Sequence, residues 1–349
     1  MLGRGLLNEL PRLVHERISV HRYALITDET VESLYARKVQ EAMGDDIAGL
    51  FVFSPGEPHK TCATWEGLSN QMLSAGMGRD SAVLAIGGGV AGDLAGFVAA
   101  TYHRGIPCVQ VPTSLLAMID SSVGGKTGVD TSHGKNLIGA FHQPSLVAID
   151  VATLETLPDR HLVAGFAEAL KHGAIEDADY FEWMVATHKA LRERRADEML
   201  ELVRKSVSIK SAVVSEDETE QGKRSVLNFG HTVGHAIEAA SGFQLLHGEA
   251  VALGMLAEAE IGKRSGVTDQ MACDALELAL ERFGLPKKMP SDLDLNHLVS
   301  IMKRDKKTRG GEVRMTFLER LGVASRTQKG DWTIPVPESA IIESLSQLA

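Results

Sequence analysis

The sequence predicts two domains of different class: an α/β domain built on a parallel sheet over residues 1–159, and an all-α domain over 160–349. At 349 residues the chain is long enough for two ordinary domains of ~100–200 residues each. Up to about residue 150, short β-branched runs alternate with amphipathic stretches of helical period, as strands joined by crossover helices require. Beyond Leu154-Glu155-Thr156-Leu157-Pro158 the strand signals thin out and long apolar-periodic stretches replace them.

In chain order, strands are expected over 23–27, 49–53, 82–86, 108–112 and 145–150. Helices are expected over 29–43 and 64–75, the second with Thr64 as its N-cap and Gly76 and Gly78 past its end. The apolar run at 82–86 continues through Gly87-Gly88-Gly89 into a further helix. In the second domain the helical stretches are 164–175, 179–215, 225–241, 249–266 and 269–283. No internal repeat or low-complexity segment interrupts them.

Hydrophobic residues at 44% and charged residues at 23% exclude disordered, collagen-like and coiled-coil readings. Lys and Arg number 36 against 46 Asp and Glu, a net charge of −10 that argues against nucleic acid or an anionic membrane as the main partner. Cys62, Cys108 and Cys273 are far apart, odd in number and without CxxC spacing, which fits a reducing compartment. Neither a signal peptide nor a spanning helix is readable, so a soluble, cytoplasmic protein is expected.

Glycine is the skewed residue: of 34, 11 fall between Gly87 and Gly139. In Val83-Leu84-Ala85-Ile86-Gly87-Gly88-Gly89-Val90-Ala91-Gly92-Asp93 an apolar strand ends in glycines and enters a helix. That arrangement lets backbone N–H groups meet a pyrophosphate at a helix N-terminus, although the spacing is not GxGxxG and a ligand-free tight turn reads the same way. Lys126 in Gly124-Gly125-Lys126 and Lys135 in Gly134-Lys135-Asn136 are either solvated loop lysines or, being so close together, an anion site. His231 and His235 stand at i, i+4 on one helix face, a metal-ligand spacing that surface pairs also show. Glu168, a polar residue in an apolar helix, and His247-Gly248-Glu249 could complete such a site, and His172, one turn from Glu168, is not separable by spacing. Two basic clusters, Lys223-Arg224 and Lys303-Arg304-Asp305-Lys306-Lys307, are solvated runs or loops able to close over an anion.

Several long segments, in order, resemble the 3-dehydroquinate synthase family of sugar-phosphate cyclases. They are GGGVAGDLAGFVAATYHRG (87–105), PTSLLAMIDSSVGGKTGVDTSHGKNLIGAFHQP (112–144), LPDRHLVAGFAEALKHG (157–173), LNFGHTVGHAIE (227–238), HGEAVALGM (247–255) and RDKK (304–307). The resemblance runs from about residue 23 to 322. It implies a dehydroquinate synthase-like fold, with a Rossmann-like domain for NAD⁺ followed by a helical domain for a divalent metal, Zn²⁺ or Co²⁺, and the substrate. By resemblance, Glu168, His231 and His247 are the metal ligands, which displaces the His231/His235 pairing and leaves His235 beside the substrate phosphate.

The implied reaction converts 3-deoxy-D-arabino-heptulosonate 7-phosphate to 3-dehydroquinate and phosphate. NAD⁺ takes a hydride from C5, phosphate leaves by β-elimination, the hydride returns, and an intramolecular aldol step closes the ring. The implied catalytic residues are Asp120, Lys126, Asn136, Lys171 and His235. Substrate contacts would come from Lys126, Asn136, Lys171, Lys210, Arg224, Asn228, His235 and one or both of Lys306 and Lys307, with Arg104 reaching across a homodimer interface. The implied cofactor positions are Asp28, Thr30, Glu57, Lys60, Gly88, Gly89, Asp93, Thr113, Ser114, Leu116, Lys135, Thr156 and Leu157. Acids at Asp28 and Glu57 favour NAD over NADP, because a 2′-phosphate would be repelled. Thr30 and Ser114 depart from the usual Asn and Thr but keep a hydroxyl. Competing readings are a sister cyclase acting on sedoheptulose 7-phosphate or glucose 6-phosphate, a metal-dependent polyol dehydrogenase, and a non-catalytic binding module.

Overall fold

Continuous apolar runs, not alternating ones, mark strands buried on both faces. Tyr23 through Thr27 and the whole of Ser81–Gly87 and Cys108–Pro112 are buried. In a computed structural model of the chain, describing all residues except Phe243, Asp292, 305–311 and Ala349 and the side chain of Arg304, these runs form one parallel sheet. Its order is Ile47–Phe53, Arg22–Asp28, Ser81–Gly87, Cys108–Pro112, Leu146–Val147. One face, with Ala24, Ile26, Val83 and Ala85, packs on helices Cys62–Ser74 and Gly89–Thr101. The other, with Leu25, Leu84, Ile86 and Val109, packs on Leu10–Arg17 and on the helical run 29–43, which holds a π turn over Glu32–Ala36.

The chain divides into two compact units, Met1–Leu157 and Pro158–Ala349. Within the first, Lys60 is 3% exposed and its Nζ lies 2.6 Å from Asp93 Oδ2 on the Gly89–Thr101 helix. Burial works against the ammonium, but Asp93 and Glu57 outweigh it and hold its pKa above the ordinary lysine value.

The second unit is mainly helical. Helices Asp159–Glu176, His231–Ala240 and His247–Arg264 meet where glycines remove the side chain between backbones. A Cβ at Gly248 would fall inside the carbonyl oxygen of Ala164, and one at Gly254 inside that of Gly230. Gly230 adopts φ +79° and has Val251 O 2.9 Å from where a Cβ would sit, so its conformation and its space both demand glycine. A core of Val233, Ile237, Leu253, Ile261, Leu298, Met315, Phe317 and Ile341 joins these helices to Leu295–Arg304 and Glu338–Leu348. Among the described residues no helix is long and apolar enough to cross a membrane.

Several expected elements are corrected. The helix expected from Thr64 is capped by Thr61, whose hydroxyl accepts the Thr64 N–H at 3.2 Å. The stretch 179–215 is two helices, Ala178–Arg192 and Ala196–Glu216, parted at Arg194 with φ +57°. The stretch 225–241 opens with a 3₁₀ turn, Lys223–Asn228, and becomes α-helical only at His231. The strand expected over 145–150 is split: Leu146–Val147 joins the sheet, whereas Ile149–Asp150 pairs with Leu2–Gly3. The lysine loops are an antiparallel hairpin, Lys126–Thr131 with Gly134–Phe141. The all-α expectation omits two short ribbons, Arg314–Met315 with Ile334–Pro335 and Leu318–Arg320 with Val323–Ala324.

Gly248→Ala should force the Asp159–Glu176 and His247–Arg264 helices apart and lower stability by about 3 kcal/mol; urea unfolding within 0.5 kcal/mol of wild type would contradict the packing account. Lys60→Met, which strands Asp93 beside an apolar side chain, should cost about 3 kcal/mol, and adding Asp93→Leu should recover most of it.

Candidate active site

Each of the three glycine-packed helices delivers one donor to the same point. Glu168 is fully buried on Asp159–Glu176, and His231 and His247 open their own helices. Glu168 Oε1 lies 3.4 Å from His231 Nε2 and 3.4 Å from His247 Nε2. Four ligands around zinc at bonds of ~2.0–2.1 Å stand ~3.3–3.4 Å from one another in a tetrahedron, so the spacing already matches an ion that these atoms would share. Their burial and chemistry fit as well: one carboxylate and two imidazoles form a cation-seeking set. Burial opposes charge on His247, yet its contacts with Glu168 and Glu238 push its pKa up to about 10. Lys171, one turn along from Glu168 and 1% exposed, forms an ion pair with it.

The helix bearing the histidines is anchored at its N-terminus by a carboxylate from its neighbour. Gly230 has no side chain to cap His231–Ala240, and Glu258, fully buried, takes over, accepting from Gly230 N at 2.7 Å and Val233 N at 3.1 Å. His231 Nδ1 is 3.2 Å from the Phe229 carbonyl, which turns Nε2 towards Glu168. His235, at i+4, keeps its ring 5.2 Å from that of His231 and outside the three-donor set with Glu168.

Just before this helix the chain makes a turn held by Asp217, whose carboxylate accepts from the backbone of Gln221, Gly222 and Arg224. Burial opposes its charge, but those N–H groups bring its pKa below the ordinary value. Arg224 is 1% exposed and donates to the Glu218 carbonyl, while Asn228 Nδ2 donates to Glu220 Oε1 at 2.7 Å. With Lys210 buried on Ala196–Glu216, the helical unit thus encloses three cationic side chains, Lys171, Lys210 and Arg224. Cationic side chains grouped in one unit are able to hold the oxygens of an anionic ligand by charge-assisted hydrogen bonds.

In the α/β unit the strand order reverses between Arg22–Asp28 and Ser81–Gly87, the switch point at which ligands of such sheets bind. Both carboxyl ends carry expected cofactor positions. Asp28 Oδ1 accepts from Thr30 N and Val31 N, and its Oδ2 lies 3.5 Å from where a Cβ on Gly87 would sit. Gly88 and Gly89 open the Gly89–Thr101 helix, with Ser114 Oγ and Ser121 Oγ against them at 3.6 and 3.2 Å from their missing Cβ atoms. Thr113 N donates to Gly87 O, and Leu116 is half-buried one turn beyond.

Along the rim, Glu57 meets Lys135 at 3.2 Å and Lys60 at 3.9 Å. Burial opposes ionisation of Glu57, but both lysines hold its pKa below the ordinary value. Asp130 accepts from Asn136 N at 2.9 Å; burial, with Glu57 nearby, pushes its pKa up to about 6. Asn136 itself is exposed at φ +54°, Lys126 is exposed at the start of the hairpin, and Asp120 sits in the π turn Ala117–Ser121. Thr156 Oγ1 contacts Tyr35 OH at 2.5 Å, with Leu157 following at the unit's end. Arg104, exposed at φ +73°, is joined to none of these. Lys306 and Lys307 lie outside the described residues.

Five acids at these sites are absent from the sequence-based expectation: Asp130, Asp217, Glu220, Glu238 and Glu258. Glu238 had a signal, since it follows His235 by one turn on the face that carries both histidines. Glu258 had none, because the amides it caps are 25 and 28 residues away.

Residues 50–164 match the 3-dehydroquinate synthase N-terminal family and 165–308 the 3-dehydroquinate synthase C-terminal family. A 3-dehydroquinate synthase from Symbiobacterium thermophilum is 46% identical over 333 residues, covering 92% of this chain and 91% of that protein. Among solved structures, 2-deoxy-scyllo-inosose synthase with carbaglucose-6-phosphate, NAD⁺ and Co²⁺ matches with TM-score 0.91 and 29% identity, over 100% of this chain and 96% of that one. The 2-epi-5-epi-valiolone synthase of Streptomyces hygroscopicus, with NAD⁺ and Zn²⁺ bound, matches with TM-score 0.89 and 29% identity, over 100% and 95%. With its donor triangle, its switch-point glycines and family matches across both units, the chain belongs to the 3-dehydroquinate synthase family.

Proposed function

We propose that this chain is an NAD⁺- and divalent-metal-dependent carbon–oxygen lyase. It converts 3-deoxy-D-arabino-heptulosonate 7-phosphate to 3-dehydroquinate and phosphate, in the shikimate route to chorismate and the aromatic amino acids. The observation that carries this reading is the convergence of Glu168 with His231 and His247, each imidazole 3.4 Å from the same carboxylate oxygen, set in a helical unit that also buries Lys171, Lys210 and Arg224. The assignment of 1–159 to NAD⁺ and 160–349 to metal and substrate follows the same division of chemistry. Free thiols at Cys62, Cys108 and Cys273 support a cytoplasmic setting.

When bound at Glu168, His231 and His247, Zn²⁺ or Co²⁺ supplies Lewis acidity to the substrate hydroxyls, and NAD⁺ at the switch point supplies the hydride acceptor and donor. The chain's own groups do the rest. Asp28 and Glu57 bind ribose hydroxyls and repel a 2′-phosphate, while Gly88, Gly89, Thr113, Ser114 and Leu116 leave room for the pyrophosphate. Thr30, Lys60, Asp93, Lys135, Thr156 and Leu157 complete that wall. Lys171, Lys210, Arg224 and Asn228 hold substrate carboxylate, hydroxyl and phosphate oxygens, with Lys126, Asn136 and Asp120 serving the reacting hydroxyls. His235, outside the donor triangle, remains able to bind a phosphate oxygen or carry a proton. The departing phosphate's own oxygen takes the C6 proton, so the eliminated group acts as its own base. One or both of Lys306 and Lys307 are the remaining expected contacts to the substrate.

Arg104 is displayed on a turn where His103, Arg104 and Gly105 all have positive φ, at 50°, 73° and 121°. An exposed arginine fixed in so restricted a conformation fits a homodimer in which it reaches the partner's substrate.

A coupled assay on this sugar phosphate should show phosphate release that requires both NAD⁺ and metal, is abolished by chelator and leaves no net NADH. Glu168→Gln or His247→Ala should lower turnover at least ~1,000-fold with the far-ultraviolet dichroism unchanged. Accumulating NADH would instead indicate a polyol dehydrogenase, and release only from glucose 6-phosphate or sedoheptulose 7-phosphate a sister cyclase. For the dimer, co-refolding inactive Arg104→Ala with inactive Glu168→Gln should restore roughly a quarter of wild-type activity, because half the dimers are mixed and each has one complete site. No restoration would mean that Arg104 serves its own subunit.

A further inference from the structure

His247 is held from both sides of its ring. Its Nε2 faces Glu168 Oε1 at 3.4 Å, and its Nδ1 faces Glu238 Oε2, also at 3.4 Å. Glu238 is 5% exposed and lies one turn past His235 on the His231–Ala240 helix, so its carboxylate is fixed by the helix that supplies His231. His247 stands at the first position of the next helix, where the backbone fixes the Cα but the χ2 setting of the ring is decided by what its nitrogens meet. An imidazole in that position can present either nitrogen. The one aimed at the ion is decided by what the other nitrogen is bonded to. His231 already follows this logic, with Nδ1 on the Phe229 carbonyl and Nε2 towards Glu168.

We propose that Glu238 is a positioning residue for the metal centre: by accepting the Nδ1–H of His247, it fixes the tautomer and ring orientation that present Nε2 to the ion. The inference rests on the metal reading above and extends it to a residue outside the three ligands. A carboxylate is better suited to this than a carbonyl. It makes the imidazole a stronger donor through charge as well as direction, adding to the single negative charge that a Glu-His-His set brings to a divalent ion. The rival arrangement is that His235, Glu238 and His247 Nδ1, which also converge, form a separate cation site in which Glu238 is itself a ligand. It would use the nitrogen of His247 that the first arrangement needs protonated, so the two make opposite predictions for stoichiometry.

The test is Zn²⁺ titration of the chelator-stripped full-length protein against a chromophoric competitor, with Co²⁺ absorption spectra recorded in parallel. Wild type should bind one equivalent. Glu238→Ala should still bind one equivalent, about 10- to 100-fold more weakly, with an altered Co²⁺ ligand-field band and an unchanged melting temperature of the metal-free protein. Glu238→Gln, whose amide oxygen can still accept Nδ1–H but carries no charge, should fall between the two. It decides the matter if the alanine variant folds poorly. Wild-type affinity and spectrum in both variants would overturn the proposal, as would two equivalents in wild type falling to one in Glu238→Ala. No binding by wild type would overturn the metal reading itself, and Glu168→Gln, which should lose the site whatever Glu238 does, tells that failure apart.

Discussion

Three helix backbones in the second unit approach closer than any side chain permits, and the chemistry of that unit follows from this contact. Gly248 lies against Ala164, Gly254 against Gly230, and Gly234 against Ala250, so Asp159–Glu176, His231–Ala240 and His247–Arg264 are pressed together at three points. Ordinary helix packing separates axes by ~8–10 Å and fills the gap with side chains. Here the gap closes, and Glu168 faces both His231 and His247 at 3.4 Å, a spacing that follows from where the packed helices place the three residues. A donor set fixed in this way loses little further entropy when an ion arrives.

The same packing settles where charge can be buried. An acidic carboxylate inside a helical core is costly unless it meets donors, and each one near the site has them. Glu258 takes the amides at the start of the histidine-bearing helix, Glu168 takes Lys171 and both imidazoles, and Asp217 takes three backbone N–H groups of a turn. The chain as a whole has a net charge of −10, yet Lys171, Lys210 and Arg224 are all buried in this unit. Net charge therefore says little about the interior, where Glu168, Glu238 and Glu258 are buried alongside these cations.

Much of this was legible beforehand for a physical reason. Strands buried on both faces announce themselves as unbroken apolar runs, and the sheet around Ser81–Gly87 was readable to within a residue or two. Helix breaks were harder. Nothing local distinguishes Arg194 from its basic neighbours, and only the left-handed backbone there parts one expected helix into two. The hairpin at 126–141 was hidden because its glycines imitate a loop; Gly128 and Gly139 are there so that two strands can touch, not so that the chain can turn. Spacing favoured His231 with His235, whereas the fold joins His231 to residues 63 positions before and 16 after it, a pairing that no local window contains and that only family resemblance anticipated.

Backbone strain carries the distinction between framework and function one step further. Among the described residues, the non-glycine positions with positive φ are His103, Arg104, Asn136, Arg194 and Glu220. Arg194 ends a helix, which accounts for it. The others are His103 and Arg104 on one turn, Asn136, and Glu220, the acid that Asn228 donates to; Arg104, Asn136 and Asn228 are among the positions proposed for substrate. Each costs of order 1–3 kcal/mol and persists only where surrounding contacts over-determine it. For Asn136 that contact is the Asp130 carboxylate, and for the turn containing Glu220 it is Asp217. The proposed metal donors thus sit on regular helices locked by packing, whereas Arg104 and Asn136, two of the groups proposed for the organic ligand, sit on backbone held against its preference. An ion needs a fixed polyhedron.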